Sequence, residues 1–293
     1  MMQPRSLLFT PANGGRKVEK AFASAADGVI LDLEDSVAVG EKSVARQLAV
    51  QALAGQREAL AGQRTRLAFV RVNAVSTPFC FDDLMAIAPA SPDEIVLPKV
   101  ESAYDVRTAD WLLTQLEARH GLAPGGIGLA PILETALGIA AAAEIARAAP
   151  RVRRLMFGAV DLALDMDLDL DDDQGAIAQA RFAIALASRG AGLAGPLDTA
   201  FVDIHAADRL RASARRARAM GYTGKACIHP AQIEVVNEVF TPTAQELDRA
   251  RRIVEAFDAA ERAGAAAVSV DGAMIDYPVV LKARRMLAGS AGP

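Results

Sequence analysis

The chain has 293 residues, of which 52% are hydrophobic and 23% charged, a composition that suits one large buried core. Its formal net charge of −4 argues against nucleic acid or an anionic membrane surface as a partner. Its two cysteines, Cys80 and Cys227, form no disulfide framework, which favours a reducing compartment. The first residues run straight into a predicted strand, and no long apolar stretch lacks charge. We therefore expect no signal peptide, no membrane span and a cytoplasmic location.

Short apolar segments typical of buried parallel strands alternate with helical segments along the chain. The predicted strands are Ser6–Thr10, Gly28–Leu33, Arg66–Val72, Glu94–Leu97, Ile127–Leu133, Arg154–Gly158, Gly195–Asp198 and Gly224–Ile228. The predicted helices are Arg16–Ala26, Glu41–Ala61, Phe81–Ala88, Tyr104–Arg119, Ala136–Ala149, Gln174–Arg189 and Ala206–Met220. Eight such units close most simply into a (β/α)8 TIM barrel, an α/β fold.

A C-terminal extension follows the catalytic barrel that we predict for residues 1–240. Residues 241–293 contain predicted helices over Thr243–Arg262 and from Pro278 to about Leu287, which is more than a barrel needs. We expect this helical extension to act as a lid that is part of the same unit and packs on a neighbouring subunit.

Polar side chains follow most of the predicted strands, where (β/α)8 enzymes build their sites. They are Thr10, Glu34, Asp35, Arg71, Asn73, Lys99, Glu134, Asp161 and His229. Because isolated charges in apolar runs are costly, we expect Arg71 and Lys99 to face carboxylates or an anionic substrate. The alternative is an ion-pair network that only fills the mouth of the barrel.

Two of these carboxylates predict a metal site. Glu134 and Asp161 come from neighbouring strands and suit a hard cation that keeps several waters, so we predict Mg²⁺. The absence of His or Cys at the adjoining ligand positions argues against zinc. The alternative for Glu134 is a carboxylate that the dipole of the following helix favours.

Two basic positions are candidates for binding anions. Arg71 would supply a fixed bidentate positive charge for a carboxylate or for an enolate oxygen. Arg16 lies beside Gly14 and Gly15 after the first strand, an arrangement that favours phosphate at a helix N-terminus.

The segments at the strand ends together resemble the citrate lyase β-subunit-like proteins of the HpcH/HpaI aldolase superfamily. The resemblance extends from Arg5 to about Leu287. The matching segments are Arg5–Pro11, Ile30–Val37, Val70–Asn73, Leu97–Lys99, Leu133–Gly138, Gly158–Ala163, Gly224–Pro230 and Gly272–Asp276.

This resemblance implies a Mg²⁺-dependent carbon–carbon lyase that cleaves a 3-hydroxyacyl-CoA, such as malyl-CoA or citramalyl-CoA, into an acyl-CoA and a 2-oxo acid. The implied metal ligands are Glu134 and Asp161, of which Glu134 also contacts the substrate. The implied substrate residues are Arg71, with Phe9 and Arg16 for CoA. The implied acid/base is Asp276, reaching over from a neighbouring subunit of a homotrimer or hexamer.

Three further residues complete the predicted site. Glu34, with Asp35, is a candidate for orienting metal-bound water and for fixing Arg71, and His229 is a candidate for shaping the substrate site.

Val160 stands where the family often has Glu, and Gly14 replaces a residue that is frequently basic or polar. Either change could mark a subgroup with another substrate.

Two other activities remain open at this point. One is the β subunit of a citryl-carrier-protein lyase, and the other is a malyl-thioester hydrolase. A fourth interpretation, a non-catalytic binding protein, is opposed by the complete metal, arginine and aspartate positions. The presence of the C-terminal segment favours a stand-alone CoA-ester lyase over the carrier-dependent subunit.

Overall fold

Eight parallel strands close into a barrel in the computed structural model, which describes residues 3–59, 66–170 and 175–290. The strands are β1 Ser6–Pro11, β2 Gly28–Asp32, β3 Leu67–Arg71, β4 Glu94–Leu97, β5 Gly128–Leu133, β6 Met156–Phe157, β7 Leu197–Asp198 and β8 Gly224–Cys227. Each strand pairs with the next, and β8 pairs with β1. The predicted (β/α)8 barrel is confirmed.

Helices follow the strands around the barrel. They are α1 Arg16–Ala23, α2 Lys42–Ala59, α3 Cys80–Ile87, α4 Ala103–His120, α5 Ala136–Ala140, α6 Ala142–Ile145, α7 Ala159–Met166, α8 Ala176–Gly190, α9 Ala207–Ala219 and α10 Ala231–Phe240. None of the helices in the described ranges is both long and apolar enough to cross a membrane.

The helices differ from the prediction in two places. The stretch from Ala136 to Ala149 was predicted as one helix, but Ala141 has φ −89° and ψ 6°, which leaves the α region and separates α5 from α6. Helix α7 was missed, because the prediction ended a strand at Gly158 and began the next helix only at Gln174. The predicted ends at residues 60, 61 and 174 lie outside the described residues.

Side chains alternate between the inside and the outside of the barrel with the two-residue period of a strand. The inner cluster contains Leu7, Ile30, Phe69, Val96, Ala130, Ile132, Met156 and Leu197. Their strand neighbours, such as Leu8, Val29 and Leu31, pack in a separate cluster that also contains residues of the surrounding helices. The residue two positions after an inner residue also points inward. It belongs to the next layer, which lies at the C-terminal mouth of the barrel.

Buried ion pairs tie strands to helices outside the inner cluster. Lys225 Nζ of β8 lies 2.5 Å from Asp198 Oδ2 of β7, and Arg181 Nε of α8 donates to Asp198 Oδ1 at 2.8 Å. All three side chains are almost completely buried. One carboxylate therefore neutralises charge on two cations that water cannot reach.

The chain divides into two compact units, Met1–Phe240 and Thr241–Pro293. The second unit contains α11 Ala244–Arg262, the antiparallel pair β9 Val268–Val270 and β10 Ala273–Ile275, and α12 Tyr277–Ser290. The unit has its own apolar core, in which Phe257 packs edge-to-face on Tyr277 at 5.0 Å between ring centroids. The sequence analysis predicted helices in this extension and did not predict the hairpin. The packing of the extension on a neighbouring subunit stays a prediction.

We expect Asp198→Asn to destabilise the barrel strongly, because it leaves two buried cations facing a neutral amide. Removing one partner from a buried ion pair costs about 3–5 kcal/mol, and chemical denaturation would measure the loss. The triple variant Asp198→Leu/Lys225→Met/Arg181→Met is the control, since apolar replacement of all three charged side chains should recover part of the stability. A loss within experimental error for Asp198→Asn would contradict the expected role of this cluster.

Candidate metal and substrate site

Glu134 reaches the mouth of the barrel because it lies two residues after the inward-facing Ile132. Its Oε1 accepts a hydrogen bond from the backbone N–H of Lys99 at 2.8 Å, and the side chain is buried. The carboxylate lies over Gly158, where any Cβ would overlap with Glu134 Oε2. The glycine at the end of β6 therefore makes room for the carboxylate from β5.

The electrostatic environment of Glu134 is unusual for a carboxylate. Burial and the nearby Asp161 raise the pKa of Glu134 to about 8. Asp161 lies in the first turn of α7, one-third exposed, and lines the same cavity as Glu134. In its ionised form the pair brings two like charges together with Lys99 Nζ 4.0 Å from Asp161 Oδ1, an environment that a bound divalent cation relieves further.

Arg71 is the next inner residue of β3 after Phe69, and it is held by Asp32 of β2. Its Nε and Nη2 donate to the two oxygens of Asp32, each at 2.7 Å. The register of the two strands places Asp32 opposite Arg71. The guanidinium also lies 5.0 Å from the centroid of the Phe9 ring, a cation–π contact.

These bonds fix the charge of both partners. Burial by itself would raise the pKa of Asp32, but the hydrogen bonds and charge of Arg71, with further donors from Ser36 and the N–H of Glu34, hold it below its usual value. Burial would lower the pKa of Arg71, and its carboxylate partners raise it instead. Arg71 is therefore a permanently charged, oriented guanidinium.

Glu34 connects the arginine to a lysine. Its Oε1 accepts from Lys99 Nζ at 2.8 Å, and its Oε2 lies 3.0 Å from Arg71 Nη1. Oε2 is buried without a well-directed hydrogen bond among the described residues. Burial raises the pKa of Glu34 although both cations oppose the shift. Asp35 is more exposed and lies 3.3 Å from Lys99 Nζ.

A cavity of about 380 Å³ adjoins this cluster. Its lining combines acidic side chains with apolar ones: Val75, Ser76, Pro98, Lys99, Glu101, Asp105, Glu134, Thr135, Asp161, Leu164 and Asp165. The cavity has room for a small organic acid beside the Glu134–Asp161 pair.

The donor set fits a hard divalent cation. Within the described residues, the cluster around Arg71 and Lys99 has five carboxylates against these two cations, so its ionised form is negative. No group of three or more His, Cys, Asp or Glu side chains in that part of the chain is arranged to hold a metal. Glu134 and Asp161 would therefore share a cation with water or substrate oxygens, the arrangement that Mg²⁺ favours.

Three predicted residues are not among those that form this cluster. Arg16 is exposed at the start of α1, and His229 is exposed before α10, where its Nδ1 accepts from the N–H of Ala231 at 3.2 Å. Asp276 belongs to the second unit, where its Oδ1 accepts from the N–H of Val279 at 3.4 Å. Their roles toward the cluster stay predictions.

Asp32 was missed in the sequence. It was read as an interior residue of a strand, although the two-residue period from Ile30 puts it in the same inner layer as Arg71. Counting that period from each apolar inner residue would have found it.

Comparison with known proteins identifies the family. The family model described as HpcH/HpaI aldolase/citrate lyase matches residues 5–230. This chain belongs to the HpcH/HpaI aldolase/citrate lyase family. A second model, described as a C–C bond lyase of the TIM-barrel fold, matches residues 186–280. Family membership supports an enzyme of the lyase type.

Relatives match over nearly the whole chain. The chain is 34% identical to the citrate lyase subunit beta of Leuconostoc mesenteroides, over 97% of this chain and 92% of that protein. It is 38% identical to a (3S)-malyl-CoA thioesterase of Cereibacter sphaeroides, over 97% and 93%. It is also similar to the protein CitE of Mycobacterium tuberculosis, solved in complex with magnesium, acetoacetate and coenzyme A. That structure has a TM-score of 0.77, 33% identity and 98% coverage of both chains.

We expect Mg²⁺ affinity to rise with pH, because the cation must displace a proton from Glu134 at pH values below its pKa of about 8. The affinity should increase by up to about tenfold per pH unit below that pKa and level off above it. Calorimetric titration of Mg²⁺ from pH 6 to pH 9 would measure this. Glu134→Gln is the control and should show no such rise, and a flat wild-type profile would contradict the assignment.

Proposed function

We propose that this protein is a Mg²⁺-dependent carbon–carbon lyase that cleaves a 3-hydroxyacyl-CoA, such as malyl-CoA or citramalyl-CoA, to an acyl-CoA and a 2-oxo acid. The observation that carries the proposal is the buried Glu134 beside Asp161, next to the fixed guanidinium of Arg71. A solved relative in complex with magnesium, acetoacetate and coenzyme A supports it.

Glu134 and Asp161 are the proposed Mg²⁺ ligands. Bound there, Mg²⁺ would act as a Lewis acid for the oxygens of the 2-oxo acid half of the substrate. The backbone N–H of Lys99 holds one oxygen of Glu134, and Gly158 leaves space for the other. These contacts orient the carboxylate before any ligand arrives.

Bond cleavage requires a place for an electron pair. As the substrate hydroxyl loses its proton, the carbon–carbon bond breaks and its electrons form an enolate on the thioester half. Arg71 would stabilise the developing negative charge, because Asp32 fixes two of its donors and leaves the Nη1 side facing Glu34 and the mouth of the barrel.

Two carboxylates are assigned to proton transfer. Glu34 has a raised pKa and a buried Oε2 that lacks a well-directed hydrogen bond within the described ranges, which suits it to accept the hydroxyl proton. Asp276, reaching over from a neighbouring subunit of a homotrimer or hexamer, would protonate the enolate carbon. Phe9 and Arg16 would contact CoA, and His229 would line the substrate site.

A malyl-thioester hydrolase is the second candidate. The 38% identity to a (3S)-malyl-CoA thioesterase supports this candidate. In that case water would attack the thioester carbonyl of the uncleaved ester and CoA would leave as its thiol, with the carbon–carbon bond intact, so the two activities would share the residues proposed to bind the metal and the substrate.

A citryl-carrier-protein lyase β subunit stays a third candidate. The C-terminal segment does not argue against it, because citrate lyase β subunits align over 97% of this chain. The sequence argument based on the presence of that segment was therefore wrong.

We expect purified protein to release glyoxylate from malyl-CoA or pyruvate from citramalyl-CoA only when Mg²⁺ is present. Asp161→Asn should lower turnover by about 10²-fold or more, since it removes a charged ligand. Chromatography of the CoA products separates the candidates, because a lyase yields acyl-CoA and a hydrolase yields free CoA with the hydroxy acid intact. Failure to turn over either ester, with Mg²⁺ bound, would argue against a CoA-ester activity.

We expect Asp276→Ala to lose about 10²–10⁴-fold in kcat, the usual contribution of a general acid or base. Mixing Asp276→Ala protein with Asp161→Asn protein, after subunit exchange, tests whether the aspartate acts across subunits. Recovered activity is the expected result, since one mixed site would hold both intact residues. The control is each variant taken through the same exchange alone, and no recovery in the mixture would contradict a shared site.

A further inference from the structure

Lys99 has a backbone conformation that lysine rarely adopts. Its φ is +51°, in the left-handed region, where the described residues include only three other non-glycine positions, Ser91, Asp167 and Asp271. Side chains with a Cβ are disfavoured there. The conformation is compensated by the bond that it makes possible, from the backbone N–H of Lys99 to Glu134 Oε1 at 2.8 Å.

The side chain of the same residue contacts the other half of the cluster. Its Nζ lies 2.8 Å from Glu34 Oε1, 3.3 Å from Asp35 Oδ1 and 4.0 Å from Asp161 Oδ1. One residue thus contacts both proposed metal ligands, Glu134 through its N–H and Asp161 through its ammonium. The side chain is 35% exposed, so part of it already faces solvent.

The charges around Lys99 require a counter-ion before any metal binds. Asp161 and Glu34 face the same ammonium from different strand ends, whereas Arg71 bonds Asp32 through two of its nitrogens and pairs with Glu34 through the third. Lys99 therefore occupies the position from which a single positive charge reaches both carboxylates.

We propose that Lys99 is an internal counter-ion for the metal-free site, which holds Asp161 and Glu34 in place and competes with the divalent cation for Asp161. This inference rests on the proposed Mg²⁺ site. The backbone and the side chain of Lys99 then have separate roles. The backbone N–H positions Glu134 for the cation, whereas the ammonium opposes the cation and must move away from Asp161 when it binds.

The left-handed backbone supplies a sharp test, because glycine adopts that conformation without strain. Lys99→Gly removes the ammonium and keeps the N–H on Glu134. Lys99→Ala removes the ammonium and also strains the backbone that carries this N–H. Lys99→Arg keeps the positive charge and is the matched control.

Calorimetric titration with MgCl₂ at pH 8 would compare the four proteins without any substrate. We expect Lys99→Gly to bind Mg²⁺ on the order of tenfold more tightly than wild type, about 1.4 kcal/mol, with Lys99→Ala weaker than Lys99→Gly. The advantage of Lys99→Gly should shrink at high ionic strength, because screening weakens the competing charge. Lys99→Arg should stay close to wild type.

Thermal unfolding gives a second measure on the same proteins. Without Mg²⁺, Lys99→Gly should melt below wild type, since the acidic cluster has lost its counter-ion, and saturating Mg²⁺ should raise its melting temperature by more than that of wild type.

Equal or weaker Mg²⁺ binding by Lys99→Gly would overturn this inference and leave the proposed function intact. Failure of the wild-type protein to bind Mg²⁺ would overturn both.

Discussion

The alternation of side chains along closed parallel strands is the constraint on which this site depends. Each strand sends every second residue inward, and closure of the barrel forces those residues into stacked layers. The apolar layer at Phe69 and Ile132 fills the interior, so the next layer, with Arg71 and Glu134, lies at the mouth, where Glu134 lines the cavity. The same rule that packs the core therefore selects which charged residues meet.

Charges that meet in this way must be balanced, and the protein balances the two sides of the mouth differently. On one side, Asp32 and Arg71 neutralise each other through two short hydrogen bonds and keep their charges. On the other side, burial and the like charge of Asp161 raise the pKa of Glu134. The Asp32–Arg71 pair holds a charged guanidinium in a fixed orientation, and the Glu134–Asp161 pair favours the binding of a cation.

The sequence predicted the barrel and much of the cluster, because both follow from periodicity. Glu134 and Arg71 were found because each comes at the end of an apolar run, where a charge stands out. Asp32 was missed, since a reading based on strand ends ignores charges inside a strand. The left-handed backbone of Lys99 had no signal in the sequence, because it is set by a hydrogen bond to a residue 35 positions away. Arg16 lies apart from the cluster, so periodicity alone did not decide its role.

Gly158 extends the meaning of the site beyond its charged residues. It follows a different strand from Glu134, yet the space left by its missing side chain is the space that the carboxylate occupies. Selection that maintains the carboxylate at position 134 must therefore also maintain glycine at position 158, so the two positions should change together in evolution. A related chain that keeps Glu134 and Asp161 but carries a larger residue at the position of Gly158 should be regarded as having lost the chemistry of this site.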